Sequence, residues 1–256
     1  MNSFQNENLQ RSLLYVTALT GGNYTTAEFD QTIDVALVLS CIAWPSEAQE
    51  WISRARQWPS SDIVQRIVRE GCHVVPKAYP GEEDDDELQW RLSFSLAERT
   101  LANTFMPWQR TTYLVLKKLW RRYLKEPKVI SSYHLKTTMF WVSEKITPNQ
   151  WQENNIGRFY LAALSTLIEF LTNRKLPNFF LPDNNMIGHV PNEDVQTILE
   201  KLVDIRKKPR SYLDGLVSPT NTFTVFSEEA VEPCVDNEYG QHAMYRQLFN
   251  EFFFKL

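Results

Sequence analysis

Trp90-Arg91-Leu92-Ser93-Phe94-Ser95 alternates large apolar with polar side chains, the period-two pattern of a β-strand, and it places Arg91 and Ser93 on one face. Ser95 with Glu98 three residues on reads as a capping box for a following helix. A second stretch, Ser131-Ser132-Tyr133-His134-Leu135-Lys136-Thr137, opens another helix, capped by Ser132, with a single lysine on a largely aromatic and apolar surface.

Upstream, Thr32 to Leu39 is mostly β-branched or aliphatic and reads as a buried strand carrying one carboxylate, Asp34. Trp44-Pro45-Ser46 ends it, and Ser46 with Gln49 predicts a capped helix through Arg56. A further helix starts at Ser60 or Ser61 and stops at Gly71, and His73-Val74-Val75 reads as a brief strand before Pro76. Glu82 to Glu87 is an unbroken acidic run, which self-repulsion and hydration make an exposed loop.

Downstream, Tyr113, Leu116, Leu119, Trp120 and Tyr123 repeat at helical spacing between Gln109 and Leu124, with Lys117, Arg121 and Lys125 as a basic stripe. Thr147-Pro148 with Gln150 predicts another capped start, with Trp151 on that turn. Leu161, Leu164, Ile168 and Leu171 form an apolar face, an aromatic loop runs from Leu176 to Pro182, and Val195 to Ile205 is an amphipathic helix. From Ser211 periodicity fades until Met244, so an irregular tail is expected, with its apolar end, Leu248 to Leu256, docked on the domain.

The 256 residues, 43% hydrophobic and 13% aromatic, suffice for a sizeable core and exclude a disordered chain. A net charge of -4 gives no global attraction to nucleic acid or anionic lipid. Double-stranded nucleic acid would need a local patch, and Lys117, Lys118, Arg121, Arg122, Lys125 and Lys128 supply it; a solvated helix face is the competing reading. Cys41, Cys72 and Cys234 are widely spaced and no secretory leader opens the chain, so free thiols in the cytoplasm or nucleus are expected. Phe159 to Leu171 is interrupted by Ser165, Thr166 and Glu169 and falls short of the roughly 20 residues of a membrane span.

Two-metal phosphate chemistry needs carboxylates that hold two divalent ions about 4 Å apart. Asp34 is the candidate for this catalytic and metal-ligand role, with an ordinary strand-edge aspartate as the alternative. Glu28 and Asp30 do not complete the site: four extended residues at about 3.3 Å each separate Asp30 from Asp34 by roughly 13 Å. Arg91 offers a planar donor fork for phosphate or a base edge, Ser93 adds a hydroxyl, and Lys136 suits a phosphate contact. A salt bridge for Arg91 and a snorkelling Lys136 stay open as structural alternatives.

In these stretches, over about residues 30 to 190, the chain resembles the cyclic GMP-AMP synthase and male-abnormal-21-like family, and Phe179-Phe180-Leu181-Pro182-Asp183-Asn184-Asn185 follows in the right order. The resemblance implies that Asp34 is the third metal carboxylate, that Arg91 and Ser93 line a nucleotide pocket, and that Lys136 approaches phosphate. The cofactors implied are Mg2+ or Mn2+ with ATP or GTP. The family's glycine-serine segment and first acid-x-acid pair are expected upstream of Asp34, and the 33 residues before it do not supply them. Between Glu98 and Ser131 no cysteine or histidine provides a zinc insertion.

The expected fold is mixed α/β (α+β): an incomplete nucleotidyltransferase-like lobe over 1–95, packed on a dominant helical lobe over 96–210, then a tail over 211–256. Asp34, Arg91 and Lys136 are expected to face a shared cleft. The expected function is that of a noncatalytic protein with a degenerate nucleotide cleft, weak nucleotide binding, a protein partner and no membrane. The alternative is part of a metal-dependent cyclic-dinucleotide synthase-like immune receptor activated by double-stranded nucleic acid, and a purely developmental interaction protein is a third class.

Overall fold

A computed structural model describes residues 16–17, 38–76, 90–214 and 216. The chain forms two units, residues 1–55 with 59–104, and residues 56–58 with 105–256. The architecture is mixed α/β, as the sequence predicts: strands occur in the first unit, and the described elements of the second are helical.

The first unit holds an antiparallel sheet of β1 (Val16–Thr17), β2 (Val38–Cys41), β3 (Cys72–Pro76) and β4 (Trp90–Ser93), in that order. Leu39 pairs with Val74, Ser40 with His73 and Cys41 with Cys72, while His73 pairs with Ser93, Val74 with Leu92 and Val75 with Arg91. Paired residues share a face. Leu39, Cys41, Cys72, Val74 and Leu92 therefore make an apolar face, and Ser40, His73, Val75, Arg91 and Ser93 a predominantly polar one.

The described residues of this unit also form the helices α1 (Gln49–Ser53), α2 (Ser61–Glu70) and α3 (Ser95–Asn103). α2 packs on α3, and α3 on β3. Trp44, Trp51, Ile67, Phe94, Ala97 and Leu101 are buried. Trp44 lies 5.3 Å from Trp51 and 5.4 Å from Phe94, ring centre to ring centre, and its indole N–H donates to Ala48 O at 2.9 Å. Gly71 ends α2 at φ 72°, ψ -148°, a conformation essentially reserved for glycine, and a Cβ there would sit 2.1 Å from Cys41 O. That glycine lets β2 and β3 come together.

The second unit contains α4 (Pro107–Leu119), continued by a π-helical turn over Trp120–Leu124, then α5 (Ser132–Glu144), α6 (Ile156–Thr172), α7 (Asn192–Lys207) and α8 (Pro209–Asp214). α5 packs against α4 and α6, and α6 also against α7. Its aromatic core centres on Phe140, 5.3 Å from Phe179, 5.7 Å from Phe105 and 5.9 Å from Trp58. Trp141 meets the same Phe179 edge-on at 5.2 Å.

Several helix starts differ from the sequence expectation. Pro45 caps a 3-10 turn over Ser46–Ala48 before α1, and the Ser46 hydroxyl donates to Glu47 Oε2 instead of capping. Phe94, not Ser95, is the N-cap of α3, because Ser95 has already turned helical and its hydroxyl lies beside His73. Ser131 rather than Ser132 caps α5. Thr147 precedes only a 3-10 turn, its hydroxyl taken by Asn149 Oδ1. The expected irregularity from Ser211 is corrected as far as Asp214, where Tyr212 of α8 rests edge-on against Tyr123 and bonds to Asp204. The acidic run from Glu82 to Glu87 and the apolar C-terminus lie outside the described residues.

Candidate functional site

The expected site residues divide between the two units. Asp34, with Glu28 and Asp30, lies outside the described residues. Arg91 and Ser93 belong to β4 of the sheet unit; Lys136 belongs to α5 of the helical unit. Among the described residues no three His, Cys, Asp or Glu side chains gather as a metal site.

On the polar face of the sheet, Arg91 is exposed and Ser93 half-buried. The alternation of β4 puts both side chains on that face, as the sequence predicts. Ser93 sits directly across from His73, whose Nδ1 is 3.5 Å from the Ser95 hydroxyl. Burial holds the His73 pKa below its ordinary value, and the Arg99 guanidinium adds to the lowering. The described part of the face therefore presents the Arg91 cation, the hydroxyls of Ser40 and Ser93 with that of Ser95 beside them, and a ring whose neutral form is favoured, a surface suited to an anionic or heteroaromatic ligand.

His73 is a neighbour that the sequence reading placed in a brief strand without a role in the site. The alternation of Cys72-His73-Val74 already separates the Cys72 and His73 side chains onto opposite faces. Cys72 goes inward. Its thiol is pushed up to about 12, mainly by burial, then by the charge and hydrogen bond of Cys41 directly opposite and by Glu47.

At the start of α5, Ser131 and His134 cap one another. His134 N–H donates to Ser131 Oγ at 3.5 Å and Ser131 N–H donates to His134 Nδ1 at 3.2 Å. A ring nitrogen that accepts is unprotonated, so the imidazole is neutral. Burial drives its pKa down to about 4; a backbone bond to Val129 opposes this and His189 reinforces it.

Two residues after His134, half-buried Lys136 places Nζ 5.4 Å from the centre of the Tyr133 ring, within cation–π range. Tyr133 is 36% exposed, and its hydroxyl accepts from Asn178 Nδ2 at 3.1 Å. Sequence reasoning treated Tyr133 as background and Asn178 as part of an aromatic loop. The only local signal was the i, i+3 spacing of Tyr133 and Lys136.

The basic surface is uneven. Arg121, Arg122, Lys125 and Lys128 are exposed, whereas Lys117 and Lys118 are half-buried. Burial, with Arg121 close by, lowers the Lys118 pKa to about 8. Phosphate contacts would therefore fall chiefly to the four exposed cations.

A small antiparallel sheet with helices, joined in sequence to a unit whose described elements are helical, is the mixed architecture in which Arg91 and Ser93 share a polar face, and the family match assigns it to the nucleotidyltransferase-fold class. The Mab-21 protein nucleotidyltransferase domain matches residues 11–103, and the Mab-21 protein HhH/H2TH-like domain matches residues 109–204. The chain belongs to the Mab-21 family. It is similar to a cyclic GMP-AMP synthase-like receptor of Aethina tumida, 29% identical over 170 residues, or 63% of this chain and 42% of that receptor. The match thus takes in less than half of the relative's length. No helix among the described residues is long and apolar enough to cross a membrane.

Proposed function

We propose that this polypeptide is a nucleotide-binding, noncatalytic Mab-21 protein that acts in the cytoplasm or nucleus through a protein partner. The observation that carries the reading is the juxtaposition of Arg91 and Ser93 on the polar face of β4, within the matched nucleotidyltransferase domain. In this reading the Arg91 guanidinium and Ser93 hydroxyl of the sheet unit hold a nucleotide, and Lys136 of the helical unit is a phosphate-binding cation in its own right. Asp34 is the proposed metal carboxylate, and in this reading the polypeptide by itself binds nucleotide without turning it over.

Calorimetric titration of ATP and GTP against wild type, Arg91→Ala and Lys136→Ala, with and without Mg2+, tests this reading. Millimolar or tighter binding that weakens with salt and with loss of either cation is expected. Equal affinity in all three proteins, or none at millimolar ligand, overturns the nucleotide role and leaves a partner-binding scaffold.

The relative's name favours a second reading, in which these residues form part of a metal-dependent cyclic-dinucleotide synthase-like receptor of innate immunity. Arg121, Arg122, Lys125 and Lys128, with the half-buried Lys117 and Lys118 beside them, would then receive double-stranded nucleic acid. Metal-dependent dinucleotide product from ATP and GTP, with double-stranded RNA or DNA present, would establish catalysis and end the noncatalytic reading.

A further inference from the structure

Asn178 is 7% exposed, and its amide is saturated by partners that fix its orientation. The backbone N–H groups of Phe180 and Leu181 both donate to Oδ1, at 2.9 and 3.1 Å, so that end of the amide must be the oxygen. Nδ2 is thereby turned toward the Tyr133 hydroxyl, 3.1 Å away, and toward Met186 Sδ at 3.9 Å. The Asn178 backbone is held in turn by its N–H bond to Asn184 O at 3.0 Å. Asn185 anchors the same loop, accepting from Leu176 N–H at 3.0 Å and donating to Arg174 O at 2.8 Å.

A hydrogen-bonded loop thus holds the hydroxyl end of the Tyr133 ring, and the Lys136 ammonium lies 5.4 Å from the centre of that ring. A lysine side chain has four rotatable bonds, and its ammonium wanders unless something restrains it. We propose that Asn178 is a positioning residue: by pinning the Tyr133 hydroxyl it fixes the ring, and through the ring it orients the Lys136 charge for a phosphate group. Asn178 itself does not touch the ligand. The proposal deepens the nucleotide-binding reading and rests on it for the identity of the anion, while the arrangement of Lys136 is measurable without any ligand.

The test uses the full chain with Tyr133→Phe as the principal variant, because it removes the pinned hydroxyl and leaves the ring and the Asn178 bonds to Phe180 and Leu181 intact. Asn178→Ala is the companion, with its fold checked by circular dichroism since it also frees those two amides. The Lys136 side-chain methylene protons, observed by NMR, should be shifted upfield by the ring current in wild type and move toward ordinary values in both variants. ATP affinity should fall about two- to fivefold in Tyr133→Phe, the scale of one exposed cation–π contact. In the Lys136→Ala background, Tyr133→Phe should cause no further loss. Unchanged Lys136 shifts and unchanged ATP affinity in a folded Tyr133→Phe protein, alongside weakened binding in Lys136→Ala, would overturn the positioning role and leave the nucleotide reading standing. If wild type binds no ATP, the nucleotide reading fails by itself, and the Lys136 shifts still decide whether Asn178 orients the lysine.

Discussion

The sheet unit and the helical unit bury their residues in different ways. In the sheet unit Cys72 is the one buried residue of β2, β3 and β4, and the described core is built by Trp44, Trp51, Phe94 and the inner residues of α2 and α3. In the helical unit Phe140 and Phe179 link a continuous aromatic core, and α4, α5, α6 and α7 each bury a set of side chains in that unit. The difference teaches where stability and chemistry separate. Strands left half-buried keep polar groups such as Arg91 and Ser93 accessible, while the helices supply packing density and, on α5, one restrained cation.

The comparison breaks if truncating the two cores costs the same. Phe140→Ala should destabilise the helical unit by about 3 to 5 kcal/mol, through lost burial and the cavity left among aromatic rings. Leu92→Ala, on the half-buried apolar face of β4, should cost about 1 to 2 kcal/mol. Chemical denaturation followed by a unit-specific probe, such as hydrogen exchange, would measure both; equal losses would refute the contrast.

Within the sheet unit the most sensitive point is backbone. Gly71→Ala places a Cβ against Cys41 O in a positive-φ conformation, and should cost about 3 kcal/mol while loosening the β2–β3 ladder. Faster amide exchange in β2 and β3, with α5 unaffected, is the expected signature.

Within the helical unit the sensitive point is acid. His134 is neutral when folded, with a pKa near 4, and ordinary at 6.5 when unfolded, so between those values the unfolded chain binds the extra proton. Stability from this group is complete above pH 6.5 and is lost as pH falls toward 4, by about 2 to 3 kcal/mol. His134→Gln, a usual capping-box partner of serine, should keep the cap and flatten that slope in thermal melts taken across the interval. An equally steep slope in the variant would place the acid sensitivity elsewhere.

The smallest effect concerns the paired thiols. At pH 8 an alkylating reagent should label half-buried Cys41 while Cys72, its thiol held near 12, reacts at least about a hundredfold more slowly until the sheet unit unfolds. Peptide mapping over time distinguishes the two, and matched rates would show that β3 is less sheltered than its register implies.

Both family stretches, the strand placement of Arg91 and Ser93, and the helical setting of Lys136 were legible because they rest on local periodicity: side chains alternate along a strand and recur every three to four residues along a helix. Helix caps were less legible. Ser46, Ser95 and Ser132 carry the right hydroxyl, yet which residue turns first depends on what the preceding segment packs against. Hydrophobic patterning and the two motifs therefore determined, from sequence alone, a mixed fold and the residue types of the candidate site. Only the tertiary structure decided that His73 lies across from Ser93, that Cys41 faces Cys72, and that Asn178, forty-five residues away, holds the hydroxyl of Tyr133. Those pairings arise from strand register and loop placement, which many distant contacts set together and no short stretch encodes.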